Sequence, residues 1–254
     1  PSPGPADIAA LIEAEGVTVT NGVPTVWIDF LEYVRDNDVD LSALERIVTG
    51  GFAVPEHLIE AYDDLGVDLE HTWGMTETMS LAAASRPKGR DEDWSVESSL
   101  DRRAKQGLLA PGYEMRVRDE DDDPVPWDGE TPGELLIRGP TVIEEYYECP
   151  AATERTFEDD WLRTGDVVTV DDGGYVEIVD RKKDLINSGG EWISTIALEN
   201  ALMGHDVAGA AAVAPGDHER GGGRPVAFPP ARKGDIRPAA PRGFLCDDHP
   251  RWWL

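Results

Sequence analysis

Leu44-Glu45-Arg46-Ile47-Val48-Thr49-Gly50-Gly51, then Pro55-Glu56-His57-Leu58-Ile59-Glu60-Ala61-Tyr62-Asp63-Asp64-Leu65-Gly66, then Val67-Asp68-Leu69-Glu70-His71-Thr72 follow one another along the chain. The first run reads as a buried strand broken by two glycines. The second opens on Pro55, aligns Leu58, Ile59, Tyr62 and Leu65 on one face, and ends at Gly66, as an amphipathic helix does. The third reads as a strand again. This β–turn–α–β alternation predicts an α/β layer around a mostly parallel sheet.

The pattern extends upstream. Residues 7–15 place Ile8, Leu11 and Ile12 on one helical face, stopped by Gly16. Val17 to Thr20 reads as a short strand. Pro24 starts a helix that gathers Trp27, Phe30, Leu31 and Val34 on one side. Downstream the character changes. Residues 86–106 are polar and read as loop. From 107 to 179 the signals are short strands between turns: Glu114 to Arg118, Glu134 to Arg138, Val167 to Val170 and Tyr175 to Val179. A helix near 151–158 interrupts them. Asp180 to Asp184 is a charged joint. A helix starting near Ser194 carries Ile196, Leu198 and Leu202. Residues 215–243 are dense in Gly, Pro and Arg without a period. The expected division is therefore an α/β sheet portion over 1–106, a β-rich subdomain over 107–180, and a hinge with a partial small domain over 181–254.

The 254 residues carry 51 Asp+Glu against 23 Lys+Arg, a net charge of −28. Only five of those cations are Lys (88, 105, 182, 183 and 233). No basic patch stands out, and Asp119 to Asp123 would repel phosphate, which argues against a nucleic-acid partner. With 40% apolar residues and eight Trp the chain is no disordered acidic tail. A folded core under an acidic, lysine-poor skin stays hydrated in concentrated salt, so a halophilic host is expected, with an ordinary acidic enzyme as the alternative. Cys149 and Cys246 form neither a CxxC pair nor a disulfide framework, and the five histidines lack ligand spacing. No apolar run approaches the ~18 residues of a membrane span, no signal peptide is visible, and a cytoplasmic setting is expected. The opening Pro-Ser-Pro-Gly, without Met, reads as an internal start.

Several stretches carry chemistry. Gly50-Gly51 joins a strand to a helix, where backbone can approach a planar ligand closely; an ordinary turn is the alternative. Thr72-Trp73-Gly74-Met75-Thr76-Glu77 follows a strand, where α/β sheets place ligands. Trp73 offers a ring for a base, Thr76 a hydroxyl for a phosphate, and Glu77 a hard carboxylate for Mg²⁺. A loop with a buried Trp and a solvated Glu is the plainer alternative. Trp161 to Asp166 ends in Thr-Gly-Asp, whose carboxylate could accept both hydroxyls of a ribose or simply cap its own turn. Ser188-Gly189-Gly190-Glu191-Trp192-Ile193-Ser194 is a glycine turn ahead of a helix.

In this order and spacing, Thr72 to Glu77, Trp161 to Asp166, and Asp180 to Trp192 resemble the adenylate-forming (AMP-binding) acyl-CoA synthetase superfamily, and the Trp and Gly-Gly-Glu-Trp-Ile-Ser variants its fatty-acyl-CoA branch. Gly133 to Gly139 also matches a family strand. The resemblance implies the C-terminal part of the large acyl-adenylate-forming domain plus a truncated α+β C-terminal domain. The implied reaction joins a fatty acid to CoA in two steps, using ATP and Mg²⁺ and releasing AMP and pyrophosphate. The implied catalytic set is Thr76, Glu77 and Lys183, with Glu77 on the metal and Lys183 at a hinge. The implied nucleotide and CoA contacts are Gly50, Gly51, Trp73, Gly74, Met75, Thr76, Asp166 on the ribose, Arg181, and Gly189 and Gly190 beside the pantetheine arm. The helix from Pro24 to Val34 is expected at the acyl tunnel, and a homodimer is compatible with the family. Phe52 and Asp180 depart from the family pattern. Residues 217–228 look like a worn strand–loop–strand. A Ser/Thr/Gly-rich loop with Lys and a C-terminal Gly-Lys segment are not among the 254 residues, so little ligase activity is expected of this chain alone. A non-catalytic fragment, either a gene remnant or a nucleotide-binding module, and a ligase for another acid such as an aryl acid are the alternatives.

Overall fold

A computed structural model of the chain describes residues 3–88, 97–188, 191–203, 213–217 and 223–227. The first part alternates as its sequence predicts: α1 (Pro5–Glu15), β1 (Val19–Gly22), α2 (Pro24–Asp36), β2 (Arg46–Gly50), α3 (Glu56–Asp64), β3 (Asp68–Trp73). Gly16 closes α1 in the left-handed region, its N–H donating to Ile12 O, and Pro24 stands at the start of α2. β1, β2 and β3 pair in parallel. β4 (Ala83–Ala84) then joins β3 antiparallel, and after α4 (Glu97–Ala104) comes β5 (Leu108–Leu109), giving the sheet order β1-β2-β3-β4-β5.

The core of this layer is Trp27, Phe30 and Leu31 of α2 and Leu58, Ile59 and Tyr62 of α3 packed on Ile47 and Leu69. Tyr62 Oη donates to Trp27 O at 2.7 Å, which ties the two helices together. Two expected core residues are outside it. Leu11 is exposed, because α1 turns Ala9 and Ile12 inward, and Leu65 lies beyond the last turn of α3. The stretch 86–106 is not all loop. α4 packs Leu100 and Ala104 on the core, and Arg103 grips Asp63 of α3 with two hydrogen bonds of 2.5 and 2.8 Å.

The second sheet is antiparallel throughout. It comprises β6 (Glu114–Arg118), β7 (Gly133–Arg138), then, after α5 (Pro150–Thr156), β8 (Phe157–Glu158), β9 (Trp161–Val170) and β10 (Val176–Arg181), in the order β10-β9-β7-β6 with β8 on β9. Its core holds Leu135, Ile137, Leu162, Val168, Val170 and Val176, and reaches back to Trp73, Ala82 and Ala83 of the first sheet. β9 is longer than the expected 167–170. Thr164-Gly165-Asp166, read from sequence as a turn, is a bulge inside the strand: β7 passes from Glu134 opposite Val167 to Leu136 opposite Arg163. Thr164 Oγ1 donates to Leu135 O at 2.8 Å, and Gly165 takes φ +72°, which favours glycine. Beyond it come β11 (Ile186–Ser188), β12 (Glu191–Ile193), α6 (Thr195–Met203), and the paired β13 (Val213–Asp217) and β14 (Gly223–Ala227). That last pair occupies part of the stretch in which no period is legible.

Candidate active site

β3 ends on Trp73 at the carboxyl edge of the parallel sheet, and the chain turns sharply there. A Cβ on Gly74 would lie 1.4 Å from Ser80 O, so only glycine lets the two passes of backbone cross. The next residues form a 3-10 turn at Thr76–Thr78. Met75 N donates to Thr78 Oγ1 at 3.0 Å, which fixes the turn from within. The connections of the second sheet fix it from outside. Thr141 Oγ1 and Tyr113 Oη donate to Thr78 O at 2.9 and 3.2 Å, and Ile143 N donates to Glu77 O at 2.9 Å. Tyr146 Oη donates to Glu77 Oε1 at 2.7 Å. The spacing of Tyr113, Thr141 and Tyr146 carried no sequence signal for this, since they lie in loops and a turn.

The bulge in β9 aims Asp166 toward the same place. Asp166 is fully buried; its Oδ2 accepts from Trp73 Nε1 at 2.9 Å. Arg181, its register partner on β10, brings Nε to 2.7 Å of Oδ1. The contact lacks hydrogen-bond geometry, so Oδ1 forms an ion pair yet accepts no hydrogen bond. Burial pushes the Asp166 carboxyl up, opposed by the Arg181 charge and the Trp73 donor. The expected alternative, a carboxylate capping its own turn, is not what forms. The Asp166 N–H instead donates to Thr164 Oγ1 at 3.1 Å.

Gly51, Trp73, Gly74, Met75, Thr76, Glu77, Asp166, Arg181 and Lys183 line one cleft of about 830 Å³ between the two sheets. A neighbouring cleft of about 920 Å³ opens at the same sheet edge. Its walls include Val19, Val23, Met79 and Leu81, and it shares Gly51 and residues 72–76 with the first. Gly50 belongs to this second cleft, and its lack of a Cβ makes room for Thr72 O, 2.3 Å from where one would stand. The segment just before α2 lines this cleft, whereas the apolar face of α2 is spent in the core. Phe52 has its ring exposed.

A metal fits at Glu77 as one carboxylate among several ligands. Tyr146 occupies Oε1 and leaves Oε2 available, and Mg²⁺ is commonly held by one or two carboxylates with phosphate oxygens and waters completing the shell. Among the described residues no three His, Cys, Asp or Glu side chains gather into a self-sufficient metal site. Lys183 is exposed in the turn after β10, while its neighbour Lys182 pairs with Glu134 at 2.8 Å. Asp180 is buried and accepts from Thr195 N and Oγ1 at 2.5 and 2.9 Å, so it anchors the start of α6 to the end of β10. His71 is buried as well. Its Nδ1 lies 2.7 Å from Ala104 O, its ring also bonds the Phe52 backbone, and burial pushes its imidazole down to about 4. Gly189 and Gly190 lie outside the described residues.

Comparison with known proteins bears on this arrangement. The profile of the family described as AMP-binding enzyme matches residues 1–147. A long-chain-fatty-acid–CoA ligase from Thermus thermophilus is 43% identical over 224 residues, covering 88% of this chain and 41% of its own length. An amide bond synthetase from Marinactinospora thermotolerans superposes with a TM-score of 0.82 at 27% identity, over 96% of this chain and 48% of that one. An anthranilate CoA ligase solved with anthranoyl-AMP superposes with a TM-score of 0.79 at 25% identity, over 96% and 46%. The chain spans about two fifths of the length of the curated relatives it matches.

Proposed function

The chain belongs to the AMP-binding enzyme family, and from that premise we propose that it carries the nucleotide-binding and acyl-adenylate-binding side of a fatty acid–CoA ligase. The observation that carries this reading is the meeting of Trp73 with Asp166, 93 residues later, and with the Arg181 that pairs with Asp166, drawn from two sheets into the wall of one cleft. Asp166 Oδ1 is a buried acceptor with no donor, which suits a ribose hydroxyl. Arg181, half exposed beside it, would reach the ribose or the α-phosphate. Thr76 stands where the two clefts join, so a carboxylate entering from the neighbouring cleft would meet a phosphate there.

In the proposed reaction a carboxylate oxygen attacks the α-phosphorus of ATP and pyrophosphate leaves. The CoA thiolate then attacks the acyl carbonyl and AMP leaves with the bonding electrons. Within this chain Trp73 holds Asp166 in place and walls the cleft, Thr76 orients a phosphate oxygen, and Tyr146 holds the Glu77 carboxylate in one orientation. Mg²⁺ bound at Glu77 would supply charge neutralisation for the departing pyrophosphate. Lys183 is proposed as the hinge residue, and Gly189-Gly190 as the border of the thiol path. A fatty acid is favoured by the relative from Thermus thermophilus and by Val19, Val23, Met79 and Leu81 around the adjoining cleft. The bound anthranoyl-AMP of one structural neighbour favours an aryl acid as the second reading. Use of ATP and CoA suits the cytoplasm, and among the described residues no helix is long and apolar enough to cross a membrane.

The test is AMP binding by calorimetry to the chain and to Asp166→Asn. The variant keeps an acceptor for Trp73 and loses the charge, so AMP should bind at least tenfold more weakly, about 1.4 kcal/mol. Its melting temperature should hold or rise, since a buried charge is removed. Equal affinity in the two proteins, or no binding to either, would sink the proposal. Stable C8–C16 acyl-adenylate analogues binding more weakly than a benzoyl one would shift the substrate to aryl acids.

A further inference from the structure

Gln106 lies in the cleft wall, 6% exposed, and no motif accounts for it. It precedes Gly107, which pairs with Val176 on the outer edge of β10: Val176 N donates to Gly107 O at 2.9 Å. The next N–H on that edge belongs to Ile178, and the Gln106 side chain takes it, Oε1 accepting from Ile178 N at 2.6 Å. An N–H donor requires an oxygen, so the amide can sit only one way round. Its Nε2, with two donor hydrogens, then meets no partner among the described residues.

Capping Ile178 requires only an acceptor, and a carboxylate would serve equally. Only an amide also presents donors to the cleft. With its oxygen engaged by Ile178, the amide has its nitrogen left to donate to a ligand acceptor in the cleft. Nearby acceptors are engaged, since His71 bonds the carbonyl of Ala104 and the backbone of Phe52. Ile178 faces Val168, two residues along β9 from Asp166, so Gln106 is separated from the buried carboxylate by about 7 Å along the strands and by about two strand spacings of roughly 5 Å across them. That is roughly the reach of a nucleoside from its ribose hydroxyls to the far edge of its base.

We propose that Gln106 is a nucleotide-recognition residue, its Nε2 donating to a ring-nitrogen acceptor on the edge of a purine whose ribose is held by Asp166. This rests on the nucleotide reading of the cleft and adds the group that inspects the base. The acyl side is excluded, because Gln106 does not line the neighbouring cleft.

The test measures AMP, 1-deaza-AMP, 3-deaza-AMP and 7-deaza-AMP binding at pH 8 to the chain, to Gln106→Glu and to Gln106→Met. Gln106→Glu keeps the acceptor for Ile178 and loses the donors. Gln106→Met loses both, and melting curves show whether each variant is folded. Both should bind AMP five- to twentyfold more weakly. One deaza analogue should bind the unaltered chain at least fivefold more weakly than AMP does, yet bind the variants as AMP does. Variants within twofold of the unaltered chain, or an analogue penalty that persists in them, overturn the inference. AMP binding lost in Asp166→Asn but indifferent to Gln106 leaves the nucleotide reading standing and removes this one. No AMP binding at all removes both.

Discussion

The parallel layer from α1 to β3 and the antiparallel sheet from β6 to β10 contribute unlike things to one cleft. The layer buries its apolar side chains between helices and strands, and offers the cleft tight backbone turns, after Gly50, at the Gly74 crossing and over Thr76–Thr78, that present Trp73, Thr76 and Glu77. The sheet offers charge and hydroxyls: Asp166 from its bulge, Arg181 opposite, Tyr146 on Glu77. Neither half could bind a nucleotide alone by these contacts. The lesson is that the loop motif and the carboxylate motif hold each other, through Trp73 and Asp166 in one direction and through Thr141, Ile143 and Tyr146 in the other.

Breaking the contrast at its joint should have the largest effect. Gly74→Ala would place a methyl 1.4 Å from Ser80 O, and backbone cannot yield as a side chain does. A loss above roughly 3 kcal/mol is expected, in the range reserved for such clashes. Gly165→Ala meets nothing within 4 Å and is opposed only by its φ of +72°, so it should cost about 1 kcal/mol. Denaturant titration of the two variants checks this, and equal losses would show that the joint is not held as described.

The next effect separates the two halves by acidity. Burial pushes His71, at the end of the layer, down to about 4, against about 6.5 in an unfolded chain. The folded value is depressed, so the unfolded chain takes up the proton first. The stability tied to neutral His71 is complete above pH 6.5 and is lost as pH falls toward 4, roughly 3 kcal/mol in all. Melting temperatures across that window should fall more steeply for the chain than for His71→Gln. Parallel curves would mean that the imidazole does not titrate there.

The smallest effect marks where periodicity misleads. Leu11 sits at the expected spacing but is 56% exposed, so Leu11→Ala should change stability by less than about 0.5 kcal/mol. A loss above 2 kcal/mol in chemical denaturation would return it to the core.

That residue shows what the sequence can and cannot tell. Ile8, Leu11 and Ile12 share a stripe, but which edge of the stripe faces α2 is decided by Ala9, a small residue with no voice in a hydrophobic pattern. The alternation of α1 to β3 was legible because glycine and proline punctuate it and each helix carries a clear face. α4 was not, for its sequence is nearly all polar and it is held by Leu100, Ala104 and the Arg103–Asp63 pair rather than by a stripe. Thr164-Gly165-Asp166 reads as a turn because a bulge and a turn use the same residues; only the pairing with β7 and β10 tells them apart. For the site, the residues that point at the cleft belong to compact motifs and could be named. Tyr146, Asp180 and Gln106 act through contacts spanning 69, 15 and 72 residues, with no local signature.

The hydrogen bond between Trp73 and Asp166 also has a consequence in time. Its partners are 93 residues apart, and a ribosome adding roughly 5–20 residues each second finishes the parallel layer several seconds before the carboxylate emerges. Through that interval the Trp73 indole has no acceptor and the cleft has no far wall. The site is therefore a late event in the birth of the chain, and a nucleotide that gripped it would favour the completed assembly over every shorter one.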